Sequence, residues 1–198
     1  MEIKLKFFYG AMGCGKTRKL QGDYYSKVED GFEVIVIKPT IDKKGDTKTL
    51  ARDGGTIDTK FLIGKEDNIY HIIANYLIEH NLDFVLVDEA QFLNKQHIEQ
   101  LGDIVDILGV NVYCYGLRTD FKTNLFEGSE RLFAIADELE PINRQCGCGN
   151  TKIFNMRKEN GVPVFEGDQI AIDGIDATYV SVCRKCYKNA KKRTLKKQ

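Results

Sequence analysis

Gly10, Gly15, Lys16 and Thr17, in the stretch "FFYGAMGCGKTRKL" at residues 7–20, satisfy the spacing GxxxxGK[ST]. Glycines at such positions let a backbone wrap closely around a phosphate, and a helix that opens at the lysine aims unpaired N–H groups at the anion. Lys16 then reaches the β- and γ-phosphates of a nucleotide, and the Thr17 hydroxyl is a ligand for Mg²⁺. A second pair of chemically able residues, Asp88 and Glu89, follows the apolar run "FVLV". An acid at the carboxyl end of a buried strand beside a phosphate loop is placed to hold Mg²⁺, which suits Asp88. Glu89, one residue on, is the candidate base for a proton leaving an attacking hydroxyl or water. Adjacent acids after a strand also cap helices, so this pair takes its chemical meaning from the phosphate motif upstream.

Four of the six cysteines form two close pairs, Cys146 with Cys148 in "QCGCGN" and Cys183 with Cys186 in "VCRKCY". In a reducing compartment such pairs indicate a metal site before disulfides. Together these residues support nucleotide binding and phosphoryl transfer but leave the acceptor open. A P-loop ATPase coupled to a partner would present water at Glu89, and a kinase would present a substrate hydroxyl. A metal-bearing module that binds nucleic acid through the basic tail "YKNAKKRTLKKQ" is the non-catalytic alternative.

The chemistry needs elements to hold it. "IKLKFFY" (3–9), "EVIVIKP" (33–39), "FVLVDEA" (84–90) and "VNVYCYG" (110–116) are short β-branched or aromatic runs that read as strands. Between them, a polar first helix follows the phosphate motif. "IYHIIANYLIEH" puts Ile69, Ile72, Ile73, Tyr76 and Leu77 on one helical stripe, and "HIEQLGDIVDIL" repeats the pattern with Ile98, Leu101, Val105 and Leu108. Strands alternating with helices predict an α/β fold with a mainly parallel sheet covered on both faces. Residues 40–60 are polar and lack periodicity, so they are expected to form an excursion over a site or a disordered loop. Beyond about residue 142 the character changes, and Asn160-Gly161 between "KIFNMRK" and "VPVF" predicts a hairpin turn. Two units are expected, residues 1–142 for nucleotide binding and 143–198 around the cysteines.

Among the 198 residues, 42% are hydrophobic and 29% charged, as in soluble globular chains, and the apolar runs are too short to span a bilayer. The start, "MEIKLKFF", lacks the pattern of a secretory signal, so a cytoplasmic location is expected. With 29 basic and 29 acidic side chains the net charge is zero, which argues against nucleic acid or an anionic membrane as partner.

"GAMGCGKT", "VDEAQF", "GLRTDF" and "YVSVCRKCY", in that order across nearly the whole chain, make the sequence resemble the cytosolic-type thymidine kinases, the P-loop and zinc-lasso family, in its bacterial branch. The resemblance implies a P-loop NTPase-like sheet flanked by helices, with a small C-terminal zinc-binding lasso domain. It implies ATP-dependent phosphorylation of the 5′-hydroxyl of thymidine. Gly10, Ala11, Met12, Gly13, Cys14, Gly15, Lys16 and Thr17 would form the ATP loop, Asp88, Glu89, Ala90 and Gln91 would lie along the phosphates, and Glu89 would be the catalytic base. Met12, Phe92, Leu117, Phe121 and Phe126 match positions that enclose the nucleoside. Ile170, Ala171, Ile172, Asp173 and Gly174 match the lasso over the pyrimidine, with Tyr179 anchoring its end. Cys146, Cys148, Cys183 and Cys186 would bind a structural Zn²⁺. The family also implies a homotetramer and feedback inhibition by thymidine triphosphate.

The chain departs from the family at four places. Cys14 stands where members carry serine or alanine. Lys44, after Asp42, stands where an Asp-x-Arg pair is usual, and lysine lacks the two-pronged planar donor of arginine. "DGIDATY" is one residue longer than the glycine-glycine form, which shifts the register between Asp173 and Thr178. Arg118 replaces an aspartate of many members, while "GLRTDF" and the C-x-C pair fit the bacterial branch.

Overall fold

A computed structural model of the chain describes residues 2–40, 48–50, 56–169 and 177–195. In chain order the described residues form β1 (Leu5–Gly10), α1 (Lys16–Glu29), β2 (Val34–Pro39), β3 (Lys48–Leu50), β4 (Thr56–Asp58), β5 (Phe61–Ile63), α2 (Ile69–Glu79), β6 (Phe84–Val87), a 3₁₀ turn (Ala90–Phe92), α3 (Lys95–Asp106), β7 (Asn111–Leu117), α4 (Glu127–Ile135), β8 (Glu138–Pro141), β9 (Phe154–Glu159), β10 (Val162–Val164), β11 (Ala177–Val182) and α5 (Arg184–Leu195).

The four apolar runs occupy the centre of a six-stranded sheet ordered β5-β2-β6-β7-β1-β8. Every neighbouring pair is parallel. Alternation along each strand sends side chains to two covered faces, which is why these strands read as continuous apolar runs. Leu5, Phe7, Ile35, Ile37, Val85, Val87, Val112 and Cys114 join a core that includes residues of α2, α3 and α4. Phe8, Val36, Phe84, Leu86, Tyr113 and Tyr115 form the opposite face with Leu20 of α1. Helix α1 is polar along most of its length, and Leu20 and Gln21 are among its buried residues. Asparagine caps set where α2 and α3 begin: the side chains of Asn68 and Asn94 accept the N–H of His71 at 2.9 Å and of His97 at 2.8 Å.

Two strands of this six-stranded sheet carry no sequence signal, and both lie at its edges. β5 is three residues long, and β8 is mostly exposed with the sequence Glu-Leu-Glu-Pro. β8 is held by pairing to β1 and by Glu138, which takes Lys4 at 2.7 Å and Lys6 at 2.5 Å. These lysines pull the Glu138 carboxyl down to about 2. Within 40–60, β3 and β4 pair as an antiparallel ribbon, and Lys60 N–H donates to the Val36 carbonyl at 2.7 Å.

After β8 the chain builds a second, antiparallel sheet, β10-β9-β11. The turn is where Asn160-Gly161 predicted it, with φ of 49° and 78° at the two residues, the left-handed values that a two-residue hairpin requires. One face of this sheet packs with α5 around Cys146, Met156, Phe165, Val182, Cys183 and Tyr187. Its other face looks back at the ends of β1 and β7.

Candidate active site

Parallel α/β sheets bind ligands beyond the carboxyl ends of their strands, and the chemically able residues gather there. β1 ends at Gly10, in register with Leu117 at the end of β7. A Cβ on residue 10 would lie 2.5 Å from Cys14 Sγ and 2.7 Å from the Ile142 carbonyl oxygen, so only glycine lets the loop turn this closely. The loop then enters α1 through Gly15 at φ 105°, and no side chain caps the helix. An uncapped N-terminus of a 14-residue helix leaves its first N–H groups, and the positive end of its dipole, for an anion.

A cleft of ≈ 1000 Å³ opens over this loop. Its walls include Met12, Gly13, Cys14, Gly15, Lys16 and Thr17 from the loop, and Glu89, Gln91, Phe92 and Leu117 from the neighbouring strand ends. Asp23, Lys38 and Arg144 also line it, and sequence reasoning had assigned none of them. Their signal is tertiary: Asp23 and Arg144 sit in ordinary polar stretches, Lys38 near the end of the apolar strand β2, and each reaches the cleft only through the fold.

Asp88 is buried at the end of β6, where its N–H continues the sheet by donating to the Ile37 carbonyl at 3.0 Å. Burial, followed by the charge on Glu89, pushes its carboxyl up to about 6, while Lys38 and Lys16 pull it back. A divalent cation at this acid would favour its ionised form, so a buried carboxylate within reach of the Lys16 and Lys38 charges offers the oxygen donor that Mg²⁺ takes. Glu89 holds the left-handed conformation at φ 51° and ψ 37°, a cost of about 1–3 kcal/mol for a non-glycine residue. Its N–H donates to Asp88 Oδ1 at 3.0 Å, and its carboxylate accepts from Gln91 Nε2. Gln91 is 2% exposed, and its Oε1 accepts the Leu117 N–H at 2.9 Å. This glutamine fits because Gly116 leaves room: a Cβ there would come within 3.1 Å of Gln91 Oε1. A backbone bond to β7 therefore fixes the amide that orients the Glu89 carboxylate over the cleft.

The apolar candidates divide by position. Phe92 and Phe126 meet edge to face at 5.5 Å between centroids, and with Gln91 they line a second cavity of ≈ 320 Å³. Phe121 is 1% exposed, with the Arg157 guanidinium 5.2 Å from its ring centroid. Tyr179 is half-buried on β11, in register with Arg157. Ala11 and Ala90 are buried among core residues rather than in the cleft wall. Ile170, Ala171, Ile172, Asp173 and Gly174 lie outside the described residues, as do Asp42 and Lys44.

The four cysteines converge, with all four Sγ atoms within 4.8 Å of one another. A tetrahedral ion with Zn–S bonds of about 2.3 Å has S–S edges of about 3.8 Å, and the Sγ separations are 3.8 Å for Cys146–Cys186, 3.5 Å for Cys186–Cys148 and 3.4 Å for Cys148–Cys183. The backbone N–H of Asn150, and then its side-chain amide, lower the Cys148 thiol to about 6. Cys186, crowded by Cys148, Cys183 and Cys146, is pushed up to about 12. Four sulfur donors held within 4.8 Å of one another form a set suited to a metal cation such as Zn²⁺.

Besides Arg144, whose Nη1 donates to the Gly13 carbonyl at 2.9 Å, two residues that sequence reasoning missed bind this unit to the loop. Asn155 on β9 accepts the Met12 N–H through Oδ1 at 2.7 Å and donates Nδ2 to the Thr119 carbonyl at 2.8 Å. Ser181 on β11 donates its hydroxyl to the Met12 carbonyl.

Residues 3–187 match the family model described as Thymidine kinase. The chain is 42% identical over 183 residues to the Thymidine kinase of Mannheimia succiniciproducens, covering 91% of this chain and 93% of that protein. It is 43% identical over 187 residues to the Thymidine kinase of Haemophilus influenzae, covering 93% and 96%. The Thymidine kinase of Legionella pneumophila is 38% identical over 187 residues, covering 93% and 89%.

Proposed function

The chain belongs to the thymidine kinase family, and from that premise we propose that it transfers the γ-phosphate of ATP to the 5′-hydroxyl of thymidine, yielding thymidine 5′-monophosphate and ADP. Gly10 to Thr17 cradle the ATP phosphates through backbone N–H groups, with Lys16 on the β- and γ-phosphates. Thr17 and Asp88 hold Mg²⁺, which when bound neutralises charge between the phosphates. Ala90 and Gln91, in the turn that follows β6, lie along the phosphates. Glu89 takes the proton of the 5′-hydroxyl as that oxygen forms its bond to the γ-phosphorus and the bond to the ADP oxygen breaks. Met12, Phe92, Leu117, Phe121 and Phe126 enclose the nucleoside. Ile170 to Gly174 form the lasso, with Tyr179 at its end, and the four cysteines hold Zn²⁺ at its base.

The single observation that carries this reading is the Glu89 carboxylate: it stands in the wall of the phosphate-loop cleft, oriented by a buried glutamine anchored to β7. Catalysis then consists mainly of positioning and charge neutralisation, as phosphoryl transfer requires. The same reading takes residues 1–142 and 143–198 as two functional units, the protein as a cytoplasmic homotetramer, and thymidine triphosphate as its feedback inhibitor. Among the described residues no helix is long and apolar enough to cross a membrane.

Glu89→Gln tests the assignment. The variant is expected to keep ATP and thymidine affinity while turnover falls by about 10²–10⁴-fold, the usual contribution of a positioned base. Turnover close to the parent's removes Glu89 from that role. ADP formation that proceeds equally without thymidine converts the reading to an ATPase.

A further inference from the structure

We propose that Asn155 is a positioning residue for the phosphate loop, so that the cysteine-bearing sheet sets the shape in which ATP is held as well as covering the nucleoside. The proposal rests on the reading of Gly10 to Thr17 as the ATP loop.

A phosphate loop works only when successive peptide planes are turned so that their N–H groups converge on one point. Glycine-rich backbone does not fix that orientation by itself, because its residues have many alternatives of similar energy. The loop has one backbone bond of its own near its apex, Cys14 N–H to the Ala11 carbonyl at 3.3 Å. At its base the Gly10 carbonyl accepts the Arg118 N–H at 3.1 Å, and three further bonds come from chain more than 130 residues away, at sequence separations of 131, 143 and 169. Asn155 holds the Met12 N–H, Ser181 holds the Met12 carbonyl, and Arg144 Nη1 donates to the Gly13 carbonyl at 2.9 Å.

Holding both polar groups of Met12 fixes the two peptide planes on either side of it. In a trans peptide the carbonyl and the N–H of the next residue point in opposite directions. The bond from Ser181 to the Met12 carbonyl therefore turns the Gly13 N–H away from β11. Asn155 and Ser181 share one register position on β9 and β11, so the two grips come from one rigid spot on the second sheet.

Asparagine suits the task because its amide offers an acceptor and a donor together. Oδ1 takes the loop N–H while Nδ2 ties the same side chain to the Thr119 carbonyl, just beyond the end of β7. The residue is 2% exposed, so no solvent replaces either partner when the amide is removed. One side chain thereby joins three segments: the loop after β1, the chain after β7, and β9 beside the cysteines.

The test is ATP binding, measured calorimetrically with Mg²⁺ and without any nucleoside, on zinc-loaded full-length protein. Asn155→Leu matches the size of the amide and removes both of its bonds; its ATP Kd is expected to rise about tenfold, while zinc content stays equal to the parent's. Ser181→Ala removes one bond at a more accessible site and is expected to raise Kd about threefold. Ser181→Thr retains the hydroxyl on a residue that strands favour, and it is expected to restore the parent value. A residue with only a general structural role would lower the melting temperature and leave the Kd of folded protein unchanged. Parent-like Kd in both Asn155→Leu and Ser181→Ala overturns the proposal, and if Asn155→Leu does not fold, the Ser181 pair decides alone. Parent protein that takes up no ATP overturns the ATP-loop reading itself, and the proposal with it.

Discussion

The large parallel sheet and the small antiparallel one are built by different means. The first buries apolar side chains on both faces, with Phe7, Phe84, Val85, Leu86, Val87 and Val112 all at 0% exposure. The second has a core of six buried residues, two of which are the cysteines Cys146 and Cys183. A core that small supplies little of the burial energy needed to offset chain entropy, so the unit depends on a staple. The large sheet has no such dependence. The contrast assigns the two units different vulnerabilities: side-chain volume for one, thiol chemistry for the other.

Removing the metal-binding set should separate the two units most sharply. Structural zinc contributes about 10–16 kcal/mol of apparent binding energy in isolated finger peptides, as much as a core of six buried side chains supplies at about 1.5–3 kcal/mol each. With Cys183→Ser, or after chelation, hydrogen exchange should show β9, β10 and β11 losing protection while β1, β6 and β7 retain theirs. Loss of protection in both sheets together would dissolve the distinction. Phe7→Ala reverses the experiment. A cavity left by a fully buried phenylalanine costs about 3–5 kcal/mol, so the large sheet should melt at a markedly lower temperature, and zinc should not restore it. Tyr187→Phe has the smallest expected effect. It removes the 2.7 Å bond from the Tyr187 hydroxyl to the Phe121 carbonyl, a loss of about 1 kcal/mol. The melting transition of the small unit should move by a few degrees and that of the large sheet should stay in place.

The parts legible in the sequence were those with local causes. Strands β1, β2, β6 and β7 declare themselves because they are buried on both faces, and a doubly buried strand is apolar throughout. The phosphate loop and the Asp88-Glu89 pair were legible because their chemistry fixes spacing along the chain. The Asn160-Gly161 turn was legible because few other residue pairs take its backbone angles. By contrast, β5 is too short to carry a pattern, and β8 is stabilised largely by its neighbour β1 and by two lysines. Asn155 gave no sign because nothing in "KIFNMRK" distinguishes an asparagine that reaches Met12 from one that faces solvent. Gln91 was placed beside the phosphates by resemblance, but its grip on Glu89 depends on a glycine at position 116, which only the packed strands reveal.

The parallel arrangement around β1 also governs how the chain assembles. β1 precedes the other described strands in chain order, and both of its partners, β7 and β8, follow more than 100 residues later. Its contacts with the β7 and β8 regions span separations such as 107 residues for Lys4 with Asn111 and 132 for Leu5 with Asp137. Closing contacts that distant is slow, and an apolar strand waiting with both edges open invites association with other chains. On a ribosome, β1 therefore gains its partners only after β7 and β8 have emerged, and among the described strands aggregation during expression should trace first to β1.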